Sequence, residues 1–164
     1  MSLVVETGEG LPNSESYISL AAADARHAAL GNTGWTGSDT AKEQALRRAT
    51  VYMVQAYRQR WQGVRATLDQ ALDWPRYGVE VDGYYVAGDS VPTDVANACA
   101  DLALRALTED LSPDLERAVV REKVGPLETE YDRFSQQAKR FSAVDRTLAA
   151  YMLGGGAMRR LIRA

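Results

Sequence analysis

The residues best equipped for chemistry cluster in two places. Arg58, Arg60, Trp61 and Arg65 lie close together. Guanidinium groups can meet phosphates while an indole stacks on a base, so this set suits a single-stranded nucleic acid. Trp61 also continues an apolar helical repeat, and that spacing is the plainer mark of a core residue. The second cluster is Met158, Arg159, Arg160, Leu161, Ile162 and Arg163, preceded by Gly154-Gly155-Gly156. Successive glycines favour a hinge. A basic, partly apolar tail beyond a hinge suits docking on another surface.

The usual catalytic sets are missing. The one histidine, His27, lies in a weakly amphipathic helical segment and reads as a surface or half-buried residue. The one cysteine, Cys99, sits in an alanine-rich helical pattern and reads as a small core residue. The sequence has no His/Cys cluster at metal-ligand spacing, no phosphate-cradling glycine loop and no nucleophile elbow. Neither enzymatic activity nor a metal or cofactor is expected.

A chain of 164 residues suits one domain with one core. No apolar run approaches the roughly 18 residues that span a bilayer, and the start lacks a signal-peptide pattern. No membrane partner is therefore expected. The net charge of −3 conceals segregation. Residues 47–76 carry 6 basic against 2 acidic groups, and 133–164 carry 7 against 1. Residues 1–46 carry 2 against 6, and 77–132 carry 4 against 13. Such blocks can meet between copies of the chain, or folding can interleave them on one surface.

The elements that must position these residues are mostly helices. Ser19 is a candidate N-cap for a helix ending near Leu30. Thr40-Ala41-Lys42-Glu43 matches a capping box ahead of Leu46, Ala49, Met53, Tyr57 and Trp61, with Gly63 as the stop. A shorter element ends at Trp74-Pro75-Arg76, where Trp74 closes a loop over the core. Val79–Val86, turning at Asp82-Gly83, predicts a hairpin. Pro92 opens a helix with Val95, Ala98, Cys99, Leu102 and Ala106 inward. Residues 119–131 predict a second hairpin or an extended loop turning at Gly125-Pro126, and Ser142 opens a last helix.

The expected fold class is mainly α: a small helical bundle with one or two β-hairpins and flexible N- and C-terminal arms. Residues 1–153 form one domain with β excursions near 79–86 and 119–131. Residues 154–164 form the hinge and tail.

Five stretches together resemble a phage family: Gly10-Leu11-Pro12-Asn13 with Ser16-Tyr17, Gln44–Thr50, Trp61-Gln62-Gly63-Val64-Arg65, Gln70–Arg76, and Arg121–Glu128. The family is labelled DnaT-like single-stranded DNA-binding proteins, and it also looks like the head–tail connectors (adaptors) of tailed phages. The connector resemblance implies a structural protein of the virion neck, made in the host bacterial cytoplasm. It would form a dodecameric ring of its own copies, join the portal protein to tail or stopper proteins, and touch double-stranded phage DNA in transit. Met158–Arg163 would dock on the portal. Arg121, Glu122, Lys123, Val124, Leu127, Glu128, Tyr84 and Tyr85 would meet neighbouring subunits or the next ring. An acidic isoelectric point near 5.2 favours this over DNA binding, because phosphate affinity comes largely from basic surface. The alternative is a single-stranded DNA-binding protein of phage replication, using Arg58, Arg60, Trp61 and Arg65.

Overall fold

The computed structural model describes residues 2–113, 121–124, 127–130 and 139–154. Among the described residues there are four helices: α1 (Leu20–Ala29), α2 (Asp39–Tyr57), α3 (Thr93–Ala106) and α4 (Ser142–Leu148), the last extended by a 3-10 turn at Ala149–Tyr151. Six short strands among the described residues form three antiparallel pairs. β1 (Val64–Arg65) pairs with β2 (Arg76–Tyr77), and β3 (Glu80–Val81) pairs with β4 (Tyr84–Tyr85). β5 (Arg121–Val124) pairs with β6 (Leu127–Glu130), in the register Arg121 opposite Glu130 and Val124 opposite Leu127.

Packing of α2 on α3 forms the centre of the core. Leu46, Ala49 and Met53 from α2 and Val95, Ala98, Cys99 and Leu102 from α3 are all buried. Each fully buried Leu, Val or Met contributes about 1.5–3 kcal/mol over an exposed one. Cys99 sits against the Thr50 hydroxyl, with Sγ 3.3 Å from Oγ1, and burial pushes its thiol pKa up. It therefore stays a protonated packing group. His27 is fully buried rather than at the surface. Its Nε2 donates to the Ala100 carbonyl at 3.1 Å, and its Nδ1 accepts from the Asn32 amide at 3.0 Å. Burial lowers its pKa, so this helix-joining imidazole is neutral.

Helical periodicity misstates the fold class, and the chain is a small mixed α/β domain rather than a mainly α bundle. The repeat from Leu46 runs through Trp61, yet α2 stops at Tyr57. Trp61 reaches the core from a bridge to Met152 instead. Residues 58–92 contain no helix, but they supply Trp61, Leu72, Trp74 and Val79 to the same core. One more helical turn and a sharp bend place an aromatic residue on the same side, so spacing alone does not separate them.

Two caps differ from expectation. Ser38, not Thr40, caps α2 by accepting the Ala41 N–H at 3.3 Å. Phe141 precedes α4 with no side-chain cap. Ser19 does cap α1, accepting from Ala22 at 3.2 Å.

The N-terminal segment is no free arm. Val5 bridges Ser16, and Tyr17 and Ile18 enter the core. Its loop is organised around Glu6, which is 3% exposed. The Glu6 carboxylate accepts from the Gly8, Gly10 and Leu11 N–H groups, each at 2.9 Å, and from Ser14 Oγ at 3.1 Å.

The charge blocks interleave within one molecule. Arg26 and Asp101 form a bidentate pair at 3.0 and 2.8 Å, Arg47 meets Glu15 at 2.9 Å, and Lys139 meets Glu109 at 2.7 Å. The last two pairs join blocks of unlike net sign, and the first joins the two acidic blocks.

Removing the Glu6 carboxylate orphans three backbone donors in a partly buried loop. Glu6→Ala should therefore cost about 3 kcal/mol, read as a lower urea midpoint at unchanged m-value.

Candidate nucleic-acid interface

The segment after α2 builds the candidate site. Arg58 is the C-cap residue, and its N–H donates to the Val54 carbonyl at 3.3 Å. The Arg60 N–H closes the next turn on the Tyr57 carbonyl at 2.8 Å. The Arg60 guanidinium lies 5.6 Å from the Tyr57 ring centroid. Both arginines are exposed.

Trp61 points the other way. It is 2% exposed and stacks edge-on between Tyr57 and Trp74, at centroid distances of 5.8 and 5.5 Å. Trp74 in turn meets Tyr151 at 5.8 Å. An indole enclosed on both sides cannot receive a base, so Trp61 is part of the scaffold. Arg65 is partly buried and spends its guanidinium on the carbonyls of Gln70, at 3.0 Å, and Leu68, at 3.1 Å. Of the four residues marked by sequence, only Arg58 and Arg60 are exposed to solvent.

Gln62 joins this segment to the next. Its N–H donates to the Tyr151 carbonyl at 2.9 Å, and its side-chain amide donates to Ala150 at 2.8 Å. Its side-chain oxygen accepts the Glu80 N–H at 3.3 Å, which fixes the root of the β3–β4 ribbon. Arg76, 7% exposed, donates to the Gln62, Gly63 and Asp73 carbonyls at 2.7, 2.8 and 3.1 Å. Gly63 has φ +65°, and a Cβ there would collide with the Tyr77 carbonyl, so the close β1–β2 crossing requires glycine.

The ribbon turns at Asp82 and Gly83, with φ of 53° and 86°, as a two-residue hairpin turn demands. Tyr84 and Tyr85 are each 79% exposed. Successive strand residues point to opposite faces, so the ribbon offers one phenol ring on each. Tyr77 is 55% exposed, with its ring lying over Gly88. Sequence patterning placed the stacking role on Trp61 and gave no such role to Tyr77. It also missed Gln62 and Arg76, whose only signal was their presence in the stretches Trp61–Arg65 and Gln70–Arg76.

Other marked residues lie elsewhere. Arg121–Val124, Leu127 and Glu128 fall on β5 and β6. The tail Met158–Arg163 lies outside the described residues.

A family model described as "Putative DnaT-like ssDNA binding protein" matches residues 1–164. The chain belongs to that family. The match corrects the expectation of a virion head–tail connector, because it indicates a DnaT-like DNA-binding family and not a portal-binding ring. No curated protein and no solved structure matches the chain.

Within this DnaT-like scaffold, the Tyr151 hydroxyl donates to Asp94 at 2.9 Å. Burial and that carboxylate push its pKa up to about 12. The unfolded phenol ionises near 10. The stability Tyr151 contributes is therefore complete below pH ~10 and is lost as pH rises through about 12. Urea melts across this range should show Tyr151→Phe losing stability less steeply than wild type, after a neutral-pH cost of about 1 kcal/mol for the lost hydrogen bond.

Proposed function

We propose that the protein is a non-catalytic module that binds single-stranded DNA. Tyr84, Tyr85 and Tyr77 stack on bases, and Arg58 and Arg60 hold the adjoining phosphates. Family membership supports the ligand. The observation that carries the site is the pair of open tyrosines on a ribbon rooted through Gln62 to the arginine-bearing segment. Base–aromatic stacking is worth about 1–3 kcal/mol per base and tolerates any sequence. A duplex keeps its base faces stacked and cannot use such a surface.

The weak positive charge shapes the mode of binding. Glu80 and Asp82 share the ribbon with the tyrosines. Counterion release from two arginines gives a shallow salt dependence, so stacking carries most of the affinity. An acidic isoelectric point weakens phosphate contacts and leaves stacking unaffected.

Anisotropy titration of a labelled oligothymidylate should show binding that a matched duplex lacks. Tyr84→Ala or Tyr85→Ala should weaken it about 5- to 150-fold, the range of one lost stacking contact. With two phosphates neutralised, affinity should fall about sevenfold between roughly 50 and 200 mM salt. Equal affinity of wild type and the Tyr84→Ala/Tyr85→Ala double variant would falsify the stacking site.

A further inference from the structure

Asp73 is the buried charge that the fold leaves least compensated. It is 1% exposed, and neither carboxylate oxygen has a hydrogen-bond partner among the described residues. Three arginines stand near it from three elements. Arg76, on β2, is committed to three carbonyls. Arg65, on β1, is committed to two. Arg58, at the end of α2, brings Nε to 3.7 Å from Oδ1, and its side chain is 52% exposed. The Trp61 indole N–H faces the carboxylate without forming a well-aligned hydrogen bond to it. From the N-terminal segment, the Tyr17 hydroxyl accepts the Asp73 backbone N–H at 3.0 Å. Arg58 is thus the cation shared between this interior carboxylate and solvent.

We propose that Asp73 is a positioning residue that couples DNA binding to proton uptake: a phosphate engages Arg58 from outside, and Asp73 takes a proton from solvent as its counter-charge is drawn away. This rests on the single-stranded DNA reading above. One guanidinium cannot fully compensate two anions, and the anion without access to water is the one that neutralises. Burial already raises the Asp73 carboxyl above the usual carboxylate range, against the pull of Arg58 and Arg76. A raised pKa means that the ionised form opposes folding at neutral pH, so Asp73→Asn should fold at least as well as wild type.

Ionised Asp73 competes with phosphate for Arg58, so affinity should rise as pH falls through the range where Asp73 titrates. Lowering pH through that range should tighten wild-type binding to labelled oligothymidylate about three- to tenfold, tenfold corresponding to one unit of pKa change on binding. Asp73→Asn should bind above that range as tightly as wild type does below it, with a flat profile. Glu80→Gln, which neutralises an exposed ribbon carboxylate, should keep the wild-type slope. Calorimetry of the wild type within that range, in two buffers of different ionisation enthalpy, should show net proton uptake on binding.

An Asp73→Asn protein that binds with the wild-type pH slope overturns the coupling and leaves single-stranded DNA binding intact. Calorimetric binding without proton uptake does the same, even if the variant proves unstable. Absence of binding by either protein at any pH removes both readings.

Discussion

A column of edge-to-face aromatic rings organises this fold. It runs from Phe141 through Tyr52, Tyr57, Trp61 and Trp74 to Tyr151, with neighbouring centroids 5.3–6.2 Å apart. Such pairs favour offset or perpendicular geometry because ring edges and faces carry opposite partial charge. The column draws on α2, the irregular stretch after it, and both ends of the C-terminal helical turn. Ring contacts and the Trp61–Met152 bridge together hold those parts in place. The Tyr57 and Tyr151 hydroxyls, bonded to Asp145 and Asp94, add polar ties at two points along it.

Enclosing Trp61 has a direct effect on the surface. Because that indole turns inward at the end of α2, the backbone on either side turns outward. Arg58 and Arg60 come to solvent, and Gln62 meets both the 3-10 turn and the ribbon. The exposed tyrosines stand where they do because their strand begins at Glu80, whose N–H is taken by Gln62. Interior packing and external display are two results of the same bend.

The helices and the β3–β4 ribbon were legible in the sequence, and the β1–β2 pair and the irregular stretches were not. Ser19, Pro92 and Asp82-Gly83 announce their structures through local chemistry, and the fold places a cap, a helix start and a tight turn there. The register of β5 with β6 also matches the hairpin option for residues 119–131. Trp61 misled because its spacing suits a helix that had already ended. Asp73 and Arg76 carried no sign of burial, since charged residues enter a core only when distant backbone carbonyls and cations assemble around them. Segregated charge read along the chain suggested surfaces for other molecules, yet several of the paired partners lie within this one.

The loop around Glu6 bears on the order in which the chain acquires structure. Every donor to that carboxylate comes from within eight positions of it. Closing so short a circuit costs little chain entropy and needs no help from α2 or α3. Contacts of low sequence separation form rapidly, whereas Tyr17 must wait for Asp73 and Ser16 for Cys99. Residues 6–14 therefore form a self-closing clasp that holds Ser16 and Tyr17 ready before their distant partners arrive.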